Sequence, residues 1–186
     1  MNLENLYGQN IQDESKIIRH ALVTAVSGET AHPDDRDKWS SENPAYGHCD
    51  LFTDYCRRIW GKKTEGKTNW NPEAHILVWW AYANYQTFSE GLRKNKLTVH
   101  YSFEHPTYGE IDLSRDQFPS ETYLHPRPYP LTHIVPIQRG WDITSDMNNR
   151  KKILDPGFLS NLFKSTLPAE ITPELDRFLE YHHKSE

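Results

Sequence analysis

The sequence predicts an α+β protein in which helices pack on a small antiparallel sheet. Apolar residues recur at helical spacing from Asp13 to Ser27 and again from Asp50 to Trp60, and the period drops to two between Leu97 and Ser114. A length of 186 residues suffices for one hydrophobic core but not for two ordinary domains.

The first helix is expected over Asp13 to Ser27, where Ile17, Ile18, Ala21, Leu22, Ala25 and Val26 form one stripe, Asp13 offers a cap and Gly28 a stop. Glu29 to Gly47 is polar and turn-rich, with Pro33, Pro44, Asp34 and Asp35, and reads as a surface loop that delivers the chain to Cys49. Asp50 to Trp60 reads as the second helix, with Leu51, Phe52, Tyr55, Cys56 and Ile59 on one face. Arg57 and Arg58 fall in its last turn, where the helix dipole favours cations. Asn71-Pro72-Glu73 has the form of a helix start, so a third helix is expected over 71–90, with Ile76, Leu77, Trp79, Trp80, Ala83 and Phe88 in the core. Leu97 to Ser114 reads as a hairpin. Beyond Phe118 the chain is rich in proline and gives two short helical candidates, near Pro156 to Phe163 and from Thr172 to His182. Residues 1–118 are thus assigned to a core with an N-terminal helix and an inserted helix at 71–90. Residues 119–186 form a proline-rich C-terminal extension packed on the same domain.

Only 36% of residues are apolar, but 12% are aromatic and can bury large areas each. The net charge is −5 and the basic residues are scattered, which argues against nucleic acid as a partner. No apolar run reaches the ~18 residues of a membrane span, and Met1 to Asn5 lacks the basic and apolar segments of a signal peptide. The expectation is a cytoplasmic protein with no membrane association. Cys49 and Cys56 are seven residues apart. On one helix that is ~10 Å of rise, beyond disulfide reach. No cysteine pair has the spacing of a zinc knuckle, and no cofactor motif occurs.

The chemistry is expected at Cys49, His100 and Asp112. A five-residue hairpin loop from Glu104 to Tyr108 would pair Phe103 with Gly109 and set His100 opposite Asp112, while Leu97, Val99, Tyr101, Phe103, Ile111 and Leu113 share the other face. The aspartate would then fix one imidazole nitrogen and leave the other as a base. Cys49 opens the second helix, where unpaired N–H groups favour thiolate over thiol, whereas Cys56 lies within the apolar stripe and reads as inert filler. Asn43 is placed to donate to an oxyanion, His48 beside the cysteine to gate access, and Tyr101 to meet substrate. The order helix-start cysteine, strand histidine, next-strand aspartate is the order used by papain-like and transglutaminase-like enzymes.

The stretch Trp39-Ser40-Ser41-Glu42-Asn43-Pro44-Ala45-Tyr46-Gly47-His48-Cys49, then His100-Tyr101, then Glu110-Ile111-Asp112-Leu113-Ser114-Arg115-Asp116-Gln117-Phe118, resembles the YunG-like family of small bacterial proteins. The resemblance covers roughly residues 12–118, and that family itself resembles the papain-like superfamily. It implies a papain-like or transglutaminase-like core and supports Cys49, His100 and Asp112 as the catalytic set, without implying a substrate. Ser102 and Phe103 stand where the family pattern has aromatic and amide residues, and residues 62–95 are longer than its usual connection.

The leading expectation is a cysteine-dependent hydrolase or acyl-transferase acting on an amide, isopeptide or thioester bond of a small-molecule, peptide or protein substrate. Its alternative is a non-catalytic binding or regulatory protein that holds a partner through the aromatic segment Trp70 to Tyr85 and residues 119–186; its signature would be a buried, unreactive Cys49. A third class, metal binding by His32, Asp34, Asp35 and His48, has suitable donors but no recognised spacing.

Overall fold

The computed structural model describes residues 3–60, 75–94, 97–105, 107–126, 134–136 and 145–164. Within them the chain is an α+β protein. Its helices are α1 (Leu3–Val23), α2 (Cys49–Trp60), α3 (Tyr85–Lys94) and α4 (Ser145–Lys164). Its strands are β1 (His75–Tyr82), β2 (Thr98–His105), β3 (Gly109–Ile111), β4 (Tyr123–Pro126) and β5 (Ile134–Pro136). The sheet is antiparallel in the order β3-β2-β1-β4, and β5 pairs with the first residues of β1 on the edge that β4 uses further along.

Helix α1 starts ten residues upstream of the expected cap, because the apolar spacing continues back through Leu3, Tyr7 and Ile11. Asp13 is therefore an interior residue, paired with Lys16 one turn on, and the helix stops at Val23. Helix α2 forms almost as expected, since His48 O accepts Phe52 N–H across 2.8 Å and Cys49 becomes the first helical residue. Leu51, Phe52, Tyr55, Cys56, Ile59 and Trp60 are all buried, in one core with Ile18 and Leu22 of α1, Phe103 of β2, and Leu154, Phe158 and Leu162 of α4.

The expected third helix is not there. His75 to Tyr82 is the central strand of the sheet, and the helix runs only from Tyr85 to Lys94. The run Ile76-Leu77-Val78-Trp79-Trp80 is apolar at every position because the strand buries both faces; such a run carries neither period and imitates a buried helix. Ile76 and Val78 join the main core, and Leu77 and Ala81 are buried as well. The true helix start is marked by Asn84, whose Oδ1 accepts Thr87 N–H at 2.9 Å while Thr87 Oγ1 accepts Asn84 N–H at 3.1 Å. This reciprocal cap outweighs the proline signal upstream; residues 71–74 lie outside the described set.

The hairpin is shorter than expected. Phe103 pairs with Ile111, Glu104 with Glu110 and His105 with Gly109, so the register is shifted by two residues from the one that sets His100 opposite Asp112. Gly109 at φ 74° supplies the left-handed residue that lets so tight a loop close. A two-residue shift preserves the faces, so Val99, Tyr101, Phe103, Ile111 and Leu113 still share the core side.

Helix α4 includes the expected Pro156 to Phe163 segment but begins at Ser145; Thr172 to His182 lies outside the described residues. Ion pairs hold α4 against α2. Buried Arg150 bonds Asp50, reaches Asp146 at 2.8 Å from Nε and the Thr30 carbonyl at 3.3 Å, and Lys151 reaches the fully buried Asp54 at 2.9 Å. Asp155 accepts from Tyr55 and Arg58. Asp54 carries Arg57 as a second cation at 2.6 Å; burial alone would raise its carboxyl, but Arg57 and Lys151 outweigh that and hold it below the usual carboxylate range.

Candidate active site

Cys49 stands where the loop meets α2. Gly47, at φ 75°, makes the turn into the helix, and its carbonyl accepts His32 N–H at 2.7 Å. A Cβ at Gly47 would come 3.0 Å from that of Asp35, so glycine lets the two stretches of loop touch. Cys49 lines a pocket of about 750 Å³ that also takes in His32, Asp34, Asp35, Tyr46, Asp50, Val99, Tyr101, Gln117, Phe118, Asp146 and Arg150. The Cys49 side chain is nevertheless buried, at 9% exposure.

The thiol does not have the depressed pKa that a helix start alone would give. Burial, then the carboxylates of Asp50 and Asp112, push it up to about 12, and the backbone N–H groups of Tyr101 and Asp50 offset only part of this. The local helix-start effect is present but loses to desolvation. Cys56 is buried in the core and its thiol is likewise raised by burial, as a filler residue should be.

His100 lies on β2 opposite Trp79 and is wholly buried. Its Nε2 is 2.6 Å from Asp112 Oδ2. A carboxylate only accepts, so Nε2 carries the proton and Nδ1 is left as an acceptor. Nδ1 is 3.0 Å from Gln117 Nε2, which donates to it. The Phe118 ring stands edge-on to the imidazole with centroids 5.2 Å apart. Asp112 is fixed in turn, since its Oδ1 accepts Ser114 N–H at 3.0 Å and Ser114 Oγ–H at 3.3 Å. Histidine and aspartate thus meet as the sequence predicts, while the second imidazole nitrogen meets Gln117 instead of the cysteine. Among the described residues no hydrogen bond joins His100 to Cys49.

The three accessory residues are placed differently from expectation. Asn43 donates from Nδ2 to the Gln117 carbonyl at 3.0 Å, so its amide anchors the Arg115–Gln117 3₁₀ turn, and Asn43 is not among the described residues that line the pocket. His48 is fully buried, its Nδ1 donating to Tyr46 O and its Nε2 in hydrogen-bond contact with Thr30 Oγ1, each at 2.9 Å, so it fixes the loop and does not line the pocket. Tyr101 does line the pocket and gives its backbone N–H to Cys49. His32, Asp34 and Asp35 also face the pocket, but His48 points away from them, and among the described residues no three such side chains are gathered to hold a metal.

Sequence reasoning assigned no role to Gln117, Phe118 or Arg150. For the first two the signal was position: they fall in a short turn directly after Asp112, beside the strand that carries His100. Arg150 lies some 100 residues from its partner Asp50, and no local pattern announces such a pair.

No family model, no curated protein and no solved structure matches the chain. The class is therefore defined by the fold and the site: an α+β protein with a helix-start cysteine on a pocket and a histidine–aspartate pair beside Gln117 of that pocket's wall. Among the described residues no helix is long and apolar enough to cross a membrane.

Proposed function

We propose that the pocket is the active site of a cysteine-dependent hydrolase or acyl-transferase with a papain-like arrangement, acting on an amide, isopeptide or thioester bond. The observation that carries this reading is the 2.6 Å contact between His100 Nε2 and Asp112 Oδ2, which directs the basic nitrogen toward a glutamine on the same pocket wall as Cys49. A thiol pushed up to about 12 stays protonated near neutral pH. The nucleophile is then made by general-base removal of its proton at the moment of attack, and no standing thiolate is required. His100 Nδ1 takes the Cys49 proton as the Sγ–C bond forms and the carbonyl electron pair moves to oxygen. Collapse returns that pair and breaks the bond to the leaving group, which departs with the proton from Nδ1. Water, or an amine in a transferase, then attacks the thioester, gives its proton to His100 and restores the thiol. Asp112 orients the ring and stabilises the imidazolium throughout. The free state of both cysteines suits a reducing compartment such as the cytoplasm.

The burial of Cys49 and its raised thiol favour a second reading, a binding or regulatory protein that keeps this fold without turnover and holds a protein partner, in part through residues 119–186. One experiment separates the two. The full chain is incubated with 4-nitrophenyl acetate and with acyl thioesters, and adduct at each cysteine is read by mass spectrometry in wild type, Cys49→Ala and His100→Ala. Acylation at Cys49 that falls by about 10²-fold or more in His100→Ala supports the enzyme; no acylation of Cys49, or acylation indifferent to His100, leaves the binding reading.

A further inference from the structure

Gln117 makes one side-chain hydrogen bond to a described residue, and it goes to the imidazole nitrogen that the proposed reaction needs as its base. Its backbone is held separately. Gln117 N–H donates to Ser114 O at 3.0 Å, and Gln117 O accepts from Asn43 Nδ2 at 3.0 Å. The amide can therefore rotate about its own side-chain bonds while the turn stays in place. It is 5% exposed, and the surface it shows belongs to the pocket that Cys49 lines.

We infer that Gln117 is a catalytic residue of this site with two alternative positions, capping His100 Nδ1 in one and donating its amide N–H to the acyl oxygen under attack by Cys49 in the other. This rests on the reading of the pocket as a cysteine acyl site. A carbonyl oxygen gathering negative charge is a better acceptor for the amide than a neutral imidazole nitrogen. Its arrival draws the donor away from Nδ1, and the same movement frees the base. The Sγ proton passes to Nδ1, the Sγ–C bond forms, and the carbonyl pair that becomes the oxyanion is held by Gln117 Nε2–H; on collapse the oxyanion disappears and the amide returns. The assignment also accounts for Asn43, which holds the Gln117 backbone where the side chain can reach both partners, and so positions the oxyanion donor without being one.

The test compares two reactions of Cys49 in the full chain. Alkylation by iodoacetamide passes through no oxyanion, whereas acylation by 4-nitrophenyl acetate does. In Gln117→Ala the base is uncapped and the oxyanion donor is gone, so alkylation near neutral pH should accelerate about tenfold while acylation falls, lowering the ratio of acylation to alkylation by about 10²-fold or more. Gln117→Met fills the same space and should move both rates the same way as Gln117→Ala, so the result survives poor folding of the alanine variant. Equal changes in both rates, or none, in whichever variant folds would overturn the inference. If His100→Ala still slows both reactions of the otherwise wild-type chain in that case, the acyl-site reading stands and only the role of Gln117 fails. If His100→Ala changes neither, the reading beneath it has failed.

Discussion

His100 and Asp112 are hydrogen-bonded across 2.6 Å although they are not cross-strand partners. The β2–β3 ladder stops at Phe103 and Ile111; continued, it would set Asp112 beside Ser102 and Ser114 beside His100. The aspartate reaches a diagonal neighbour because it leaves the strand at a turn, with Oδ1 held by Ser114 and Oδ2 left for the imidazole. Diagonal pairs lie within reach of extended side chains, and all residues two apart share a face. The carboxylate therefore does two things, ordering the turn that carries Gln117 and orienting the histidine.

Asp112→Asn should lose on both counts. An amide has one acceptor oxygen, so either the Ser114 contacts or the His100 contact must be given up, or the NH₂ group must face a donor. The expected cost is about 1 kcal/mol of stability together with a fall of orders of magnitude in acylation of Cys49. Melting temperature and acylation rate measured on one sample decide it: a protein that melts lower but reacts at the wild-type rate per folded molecule would reduce Asp112 to a turn residue.

The two cysteines should separate cleanly. Cys49→Ala sits at the first position of α2, where alanine is well tolerated, and should remove acyl labelling with little change in melting. Cys56→Ala opens a small cavity beneath the sheet and should cost about 1 kcal/mol with labelling kept. Both thiols are raised in the folded state, so the stability they contribute is fully present below about pH 9 and is lost as pH rises toward the folded values. Each variant should therefore soften the alkaline decline in melting temperature; identical alkaline profiles in all three proteins would contradict the buried-thiol description.

What the residues disclosed of this fold depended on whether a pattern was one-sided. Helix α2 and the β2–β3 faces were legible because each buries one side and leaves a period to read. Strand β1 was not, because a central strand buried on both sides has no period, and the Asn84–Thr87 cap that marks the real helix was overshadowed by Pro72. The His100–Asp112 pair survived an error of two residues in register because parity, not pairing, decides the face. A one-residue error would have lost it. The thiol's raised pKa was illegible for a different reason: helix-start N–H groups can be read from sequence, whereas the burial that overrides them depends on tertiary packing, including β2, whose Tyr101 backbone meets the thiol from far along the chain.

The pocket should discriminate by charge. Asp34, Asp35, Asp50 and Asp146 line it, and among the described residues Arg150 is the one lining arginine or lysine, already engaged by Asp50 and Asp146. Iodoacetate should therefore react with Cys49 several-fold more slowly, relative to iodoacetamide, than it does with free cysteine, and the difference should shrink at about 1 M salt as screening shortens to about 3 Å. An unchanged ratio of the two reagents would show that these carboxylates do not govern entry, and a negatively charged substrate would come back into play.

The last expectation concerns acid stability and falls on His48. Burial is the main cause that lowers its pKa from 6.5 to about 4, and nearby Arg150 adds to it, while the Tyr46 carbonyl and Asp50 oppose the change incompletely. The folded state thus keeps the ring neutral, with Nδ1–H on Tyr46 O and Nε2 beside Thr30 Oγ1, while the unfolded chain takes up a proton below about pH 6.5. A depressed folded value means that the stability is present above the unfolded pKa and is lost as pH falls through the folded one. Between about pH 7 and about pH 4.5 the loss should be about 2 kcal/mol. His48→Asn keeps an N–H donor for the Tyr46 carbonyl but cannot titrate. It should melt lower than wild type near neutral pH, because the side chain no longer fills its site or reaches Thr30, yet lose less on acidification. Denaturant unfolding of both proteins at the two pH values measures the difference of differences, in which carboxylates common to both cancel. If the acid-induced loss is the same with and without the imidazole, His48 is charged in the folded protein and the loop that delivers Cys49 to α2 is held in some other way.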